Sequence, residues 1–313
     1  MTEDFYRQIT EPFSSLELLA SQVVEGFITG LHQSPFHGFS VEFAEHRQYN
    51  QGESVRHVDW KLYGRTDRLY VKKYQEETNL RCHILVDTSS SMYFPASGAN
   101  ERTLHKLGFS LCAAAVLSTM LVRQRDAVGL HFFSSEEDVK TEVKSSQTHL
   151  KYLLSELEGR LRRSLDRPEL HIGSDMAGTL HLAAERIHKR SLVVVFSDMF
   201  EAEADPEALF GALQHLKYRN NEVLLFHVTH HGKEAALAFP EKRYCMVDME
   251  SGKEIRLSPA QYRQAYAEKY AAFRQELVNR CNQYRIDLAE ADVAEGFVPV
   301  LQAYMAKRHK VFR

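Results

Sequence analysis

Residues 81–92 read Arg-Cys-His-Ile-Leu-Val-Asp-Thr-Ser-Ser-Ser-Met, and the fold turns on them. Cys82 to Val86 is a short, nearly unbroken apolar run that stops at Asp87, where a serine-rich turn begins. A run of this length without polar alternation suits a strand covered on both faces, as in a parallel sheet. Downstream, Leu104, Leu107, Leu111, Ala114 or Ala115, Leu117 and Leu121 recur on one helical stripe. The alternation then repeats. Ala127 to Phe133, Leu192 to Phe196, Val223 to Val228 and Ile286 to Ala289 read as strands. His149 to Leu157, Met176 to Ile187, Pro206 to Lys217 and Gly296 to Ala306 read as helices. Tyr262, Tyr266, Tyr270, Phe273, Leu277, Cys281 and Tyr284 form one more helical stripe, read as a core face. This order predicts an α/β protein, a doubly wound and mainly parallel sheet with helices on both faces, in which ligands sit beyond the carboxyl ends of the strands.

Ahead of the sheet, Ser14-Ser15-Leu16-Glu17 reads as a helix start with Ser14 as N-cap and Glu17 closing a capping box. Leu16, Leu19, Val23, Phe27 and Leu31 continue it, so the spacing predicts a helix from Ser14 to His32. Residues 36–80 are polar, mixed in charge and rich in turn signals, consistent with short strands or irregular structure. The expected organisation is an appendage over residues 1–80, anchored on the core by the single tryptophan, Trp60, and a sheet domain over residues 81–313.

The chain has 313 residues, enough to bury a large core, and its 44% apolar and 26% charged residues are ordinary for a globular protein. A net charge of −3 gives no basic footprint for nucleic acid. Four cysteines without a C-x-x-C pair suit buried thiols in a reducing compartment. Met1 to Thr10 has no apolar h-region, and the apolar stretches fall short of the roughly 18–20 residues that span a bilayer. A cytoplasmic protein is expected.

The turn after the first sheet strand carries the chemistry. Asp87, Ser89 and Ser91 form D-x-S-x-S, and alternate positions of an extended turn point the same way, so their oxygens can converge. Two further loops should lie at the same sheet edge. Ile172-Gly173-Ser174-Asp175 offers the Ser174 hydroxyl, with Thr179 as second candidate, and Ser197-Asp198 offers a carboxylate. Hard oxygens suit Mg²⁺, with Mn²⁺ or Ca²⁺ as alternatives, and not zinc. Hydroxyls with only two carboxylates leave such a cation electrophilic and open, so an acidic residue of a protein partner is the natural last ligand. The plainer readings are a serine-rich turn arising by chance and an Asp198 that caps the next helix. A metal-dependent hydrolase using Asp87 is the alternative activity, but Ser89 stands where phosphatases of that type carry a second Asp, and no base lies near in the sequence. His227, His230 and His231 lack a Cys or acidic ligand at zinc spacing. No Walker A loop, H-E-x-x-H or G-x-S-x-G occurs.

Asp87, Ser89, Ser91, Ser174 and Asp198 resemble the metal-ion-dependent adhesion site of von Willebrand factor A domains, with Ser174 where that family has Thr. The segment before the sheet narrows the resemblance. Gly38-Phe39-Ser40-Val41-Glu42-Phe43, Arg47-Gln48-Tyr49, Gly52-Glu53, Arg56-His57-Val58-Asp59-Trp60 and Arg65 are similar to the signature of a bacterial family called domain of unknown function 58. Ser40, Glu53 and Gly64 replace its usual Gly, Asp and Ala. The resemblance implies a Mg²⁺-dependent, non-enzymatic adaptor working with a MoxR-type AAA+ ATPase, or a client of it, in protein maturation or stress responses. The interleaved charges of residues 42–77 are read as an internal salt-bridge network or a partner-facing surface.

Overall fold

The computed structural model describes residues 15–30, 43–49, 58, 60–74, 80–95, 104–135, 137–167, 169–200 and 205–311. By its contacts the chain divides into two compact units, residues 36–80 and the remainder.

In the smaller unit, strand β1 (Phe43–Gln48) pairs antiparallel with β2 (Tyr70–Tyr74), and helix α2 (Trp60–Thr66) lies between them in sequence. Trp60 meets Tyr63 edge-on at 6.1 Å between ring centroids. Part of the charge pattern expected to form salt bridges here, including Glu42, Arg56, Asp59, Glu76 and Glu77, lies outside the described residues.

The larger unit is built on a six-stranded sheet. Its strands are β3 (Arg81–Asp87), β4 (Ala127–Phe133), β5 (Glu137–Lys140), β6 (Leu192–Ser197), β7 (Glu222–Thr229) and β10 (Asp287–Asp292), in the order β10-β7-β6-β3-β4-β5. The pairs β10–β7, β7–β6, β6–β3 and β3–β4 are parallel, and only the edge strand β5 runs antiparallel. All of β6 and all of β3 except Arg81 are buried, as their unbroken apolar runs require. A separate antiparallel hairpin, β8 (Tyr244–Val247) and β9 (Glu254–Leu257), follows β7.

Helices cover both faces. On one side α5 (Met176–Arg186), α6 (Pro206–Tyr218) and the C-terminal half of α7 (Pro259–Tyr284) close a cluster that includes Leu85, Val193, Val195, Leu213, Leu225 and Leu277. On the other, α3 (Lys106–Arg123) is flanked by α1 (Leu16–Gly30), α4 (Gln147–Asp166) and α8 (Phe297–Val311). Among the described residues α3 is the one helix long and apolar enough to cross a membrane, and here every residue from Lys106 to Val122 is buried. An all-round apolar helix is what the middle of a layer demands. Helix α1 packs on α3 and α4 and therefore groups with the sheet unit. At its start the Ser15 hydroxyl accepts the Leu18 N–H at 3.2 Å; Ser14, the expected N-cap, lies outside the described residues.

Candidate metal centre

Strand order reverses direction between β3 and β6. From β3 the chain proceeds to β4 and β5 on one side, and β6 then starts the other half. In an open α/β sheet the crevice beyond the carboxyl ends of those two strands is the expected ligand position. Asp87 is the last residue of β3, Ser197 the last of β6, and Asp198 follows it.

The serine turn is shaped by its even-numbered residues. Thr88 donates to the Phe133 carbonyl with both its backbone N–H (2.7 Å) and its hydroxyl (2.9 Å), tying the turn to β4. Ser90 ties it to the loop before α5: its N–H donates to the Ile172 carbonyl (2.9 Å), its hydroxyl donates to the Glu169 carbonyl (2.9 Å), and the same hydroxyl accepts the Ile172 N–H (2.8 Å). With Thr88 and Ser90 committed to the scaffold, Asp87, Ser89 and Ser91 are left for the crevice. Asp87 Oδ1 accepts the Ser89 N–H at 2.9 Å and Oδ2 accepts the Ser197 hydroxyl at 2.8 Å, while the Ser89 and Ser91 hydroxyls stand 3.1 Å apart. The turn thus brings Asp87, Ser89 and Ser91 together with the end of β6.

Asp175 caps α5, its Oδ1 accepting the Gly178 N–H at 2.9 Å. A Cβ at Gly178 would lie 2.2 Å from Asp175 Oδ2, so that cap needs glycine. The preceding residue, Ser174, presents a buried hydroxyl oxygen with no hydrogen-bond partner among the described residues. Thr179 lies inside α5 with its N–H on the Asp175 carbonyl. The next described helix, α6, is capped not by Asp198 but by Asp205, which accepts the Ala208 N–H at 3.1 Å.

Asp198 has a partner that the motif did not reveal. Lys106, the first residue of α3, is wholly buried and places its ammonium 2.8 Å from Asp198 Oδ2 and 2.5 Å from Glu234 Oε1. Phe200 lies under the ammonium at 4.8 Å. Asp198 Oδ1 accepts the Phe200 N–H at 3.3 Å, and Glu234 Oε2 accepts the His230 N–H at 2.7 Å. The readable signal was Lys106 itself, since no other charge occurs before Arg123 in this apolar helix.

The electrostatics follow from burial. Burial and then the Asp198 carboxylate push the Asp87 carboxyl up to about 7. Burial alone depresses the Lys106 ammonium, but the Asp198 and Glu234 carboxylates outweigh it and hold it up at about 12. Burial also raises Glu234.

The donor set fits a hard dication. Oxygens cis to each other around a cation with bonds of about 2.0–2.1 Å stand about 3.0 Å apart, close to the Ser89–Ser91 separation. The orphaned Ser174 oxygen offers a further ligand. When all are ionised, Asp87, Asp198 and Glu234 carry three negative charges against the single ammonium of Lys106, which leaves two for a dication to balance. Among the described residues no three His, Cys, Asp or Glu side chains gather as a metal-binding group, so a cation held here is held largely by hydroxyls.

The three histidines are dispersed. His227 is buried in β7 against Phe273, and burial depresses its imidazole to about 4. His230 accepts the Lys233 N–H, and the His231 N–H donates to Asp292. The tyrosine stripe of α7 divides: Leu277 and Cys281 are buried in the core with Phe273 and Tyr284 packed against it, whereas Tyr266 and Tyr270 line, with Phe273, a cavity of about 60 Å³ beside Asp198 and Glu234. Only the second half of that stripe is the core face it was read to be.

Comparison with known proteins assigns residues 45–276 to the family described as "Protein of unknown function DUF58". Uncharacterized proteins of Mycobacterium tuberculosis and Mycobacterium bovis are 22% identical over 184 residues, which is 59% of this chain and 55% of theirs. The chain thus matches about half the length of these curated relatives. Among solved structures, a conserved hypothetical protein, BatB, of Bacteroides thetaiotaomicron superposes with a TM-score of 0.43 at 12% identity, over 74% of this chain and 99% of that one. A mutant of the PilB minor pilin of Streptococcus sanguinis gives 0.39 at 10% identity, over 78% of this chain and 64% of that one. With its family model matched over most of its length, the chain belongs to the DUF58 family.

Proposed function

We propose that this chain is a binding module of the von Willebrand factor A type, which holds one Mg²⁺ at the β3–β6 crevice and uses it to grip a carboxylate of a protein partner. The observation that carries the reading is the convergence of Asp87, Ser89 and Ser91 with Ser197, the residue before Asp198, at the sheet's switch point; Ser174, on the loop tied to Ser90, has a buried hydroxyl without a partner among the described residues. Ser89, Ser91 and Ser174 supply neutral oxygens and Asp87 a carboxylate. Asp198 contributes as a carboxylate shared with Lys106. A cation bound mainly by hydroxyls keeps much of its charge, and the metal supplies the Lewis acidity that attracts an acidic side chain. The family resemblance points to a MoxR-type AAA+ ATPase, or a client of one, as the source of that side chain, in the cytoplasm.

Hydrolysis from Asp87 is the weaker reading. Both its oxygens already accept hydrogen bonds, from Ser89 and Ser197, which leaves it a poor nucleophile. Complex formation with the ATPase, followed with and without EDTA and with Ser89→Ala/Ser91→Ala, tests the binding reading. Loss of the complex in both arms supports it. An undiminished complex in EDTA overturns it.

A further inference from the structure

The β8–β9 hairpin, which the strand pattern of the sequence did not reveal, carries its turn to the mouth of the serine site. The turn is built and seated. The Gly252 N–H donates to the Asp248 carbonyl at 2.8 Å, the Asp248 N–H donates to the Lys253 carbonyl at 2.9 Å, and Asp248 Oδ1 accepts the Glu250 N–H at 3.0 Å. Gly252 has φ +70°, and a Cβ there would lie 2.8 Å from His171 Cε1, so the turn packs against the loop that carries Ser174. The His171 N–H donates to the Met249 carbonyl at 2.9 Å and fixes the approach. Between these anchors the half-buried Glu250 points inward. Its Oε2 lies 3.8 Å from the point that a Cβ on Gly173 would occupy, and the Ser91 hydroxyl is near enough to favour its charged form. One carboxylate therefore stands between two of the loops that form the site.

We propose that Glu250 is the sixth oxygen donor of this centre, a carboxylate that the chain itself supplies at the position left for a partner's acidic residue. The inference rests on the metal-binding reading above and says what controls it. Asp87, Ser89, Ser91, Ser174 and Asp198 are five donors, one short of the six that Mg²⁺ prefers. The Glu250 carboxylate borders the Gly173–Ser174 loop, so a small shift of the turn would bring it to a cation held there. The hairpin is then a tethered competitor. A partner's carboxylate binds only as the turn withdraws, and specificity falls to partners able to displace it.

Mn²⁺ binding and the water-proton relaxation of the bound ion, measured on the wild-type chain, Glu250→Ala and Asp87→Ala, test the proposal. Glu250→Ala should bind Mn²⁺ about tenfold more weakly, the scale of losing a supporting ligand. Its bound ion should gain the relaxation of one extra inner-shell water, which acetate then removes, while acetate leaves the wild-type ion unchanged. A metal-free melting temperature close to wild type shows that the turn substitution spares the fold. Glu250→Ala with unaltered affinity and relaxation, in a chain whose binding Asp87→Ala abolishes, overturns the role of Glu250 alone. Weaker binding with no extra water makes Glu250 only an outer support of Ser91 and also overturns it. No Mn²⁺ binding by the wild-type chain overturns the underlying reading as well.

Discussion

The Lys106 ammonium lies 2.8 Å from Asp198 Oδ2 with none of its side chain exposed, so the candidate centre is built around an internal cation. A charge this deeply buried is tolerable only because Asp198 and Glu234 both face it, and removing one partner of such a group leaves the others uncompensated. Lys106→Met should therefore destabilise the chain by about 3–5 kcal/mol. The triple change Lys106→Met/Asp198→Asn/Glu234→Gln, which removes the stranded charges, should recover part of that loss. Urea unfolding of the two variants measures both effects, and a single variant as stable as wild type contradicts the burial argument.

Acid should weaken the fold through buried histidines. His83 and His131 are buried on neighbouring strands with Nδ1 of one 3.1 Å from Nε2 of the other. Burial, helped by Lys140, His188 and Arg81, depresses His83 to about 4; burial, helped by His83, Lys140 and Arg186, depresses His131 to about 3. Burial likewise depresses His105 to about 4. A folded value below the ordinary 6.5 means that the unfolded chain takes up protons first as pH falls. The contribution is intact above about pH 6.5 and is lost progressively toward pH 4. Unfolding midpoints should fall between pH 7 and pH 5, and less steeply in His83→Leu/His131→Leu. Equal slopes would remove these two histidines from the account.

Ser90 is the bolt of the serine turn, although it stands outside the D-x-S-x-S pattern. Its hydroxyl makes two partly buried hydrogen bonds to the Glu169–Ile172 segment. Ser90→Ala strands a carbonyl and an N–H and should cost about 1–3 kcal/mol. It should also lower Mn²⁺ affinity, because the loops that carry Ser89 and Ser174 are then no longer held together. A Ser90→Ala chain with wild-type stability and metal affinity would show that the two loops are positioned by something else.

How far the sequence could be read follows from where its signals come from. β4 matches the expected strand from Ala127 to Phe133 residue for residue, and α5 begins at the expected Met176, because burial on both faces writes itself as an unbroken apolar run and Asp175 writes the cap. β5 was invisible because four edge residues, Glu137–Lys140, carry no core pattern, and β8 and β9 leave Val247 and Ile255 exposed. The D-x-S-x-S spacing made Asp87, Ser89 and Ser91 legible as a group because the alternation is local. Lys106, Glu234 and Glu250 reach the centre through the fold from distant parts of the chain. No spacing rule encodes such contacts, so they became visible only once the strand order was known.

The central claim is that the carboxyl ends of β3 and β6 hold a divalent cation. Titration calorimetry with Mg²⁺ and Mn²⁺ on the wild-type chain and on Asp87→Ala tests it most directly. The account predicts one site per wild-type chain that Asp87→Ala abolishes. Equal binding by the two proteins, or no binding by either, would contradict it.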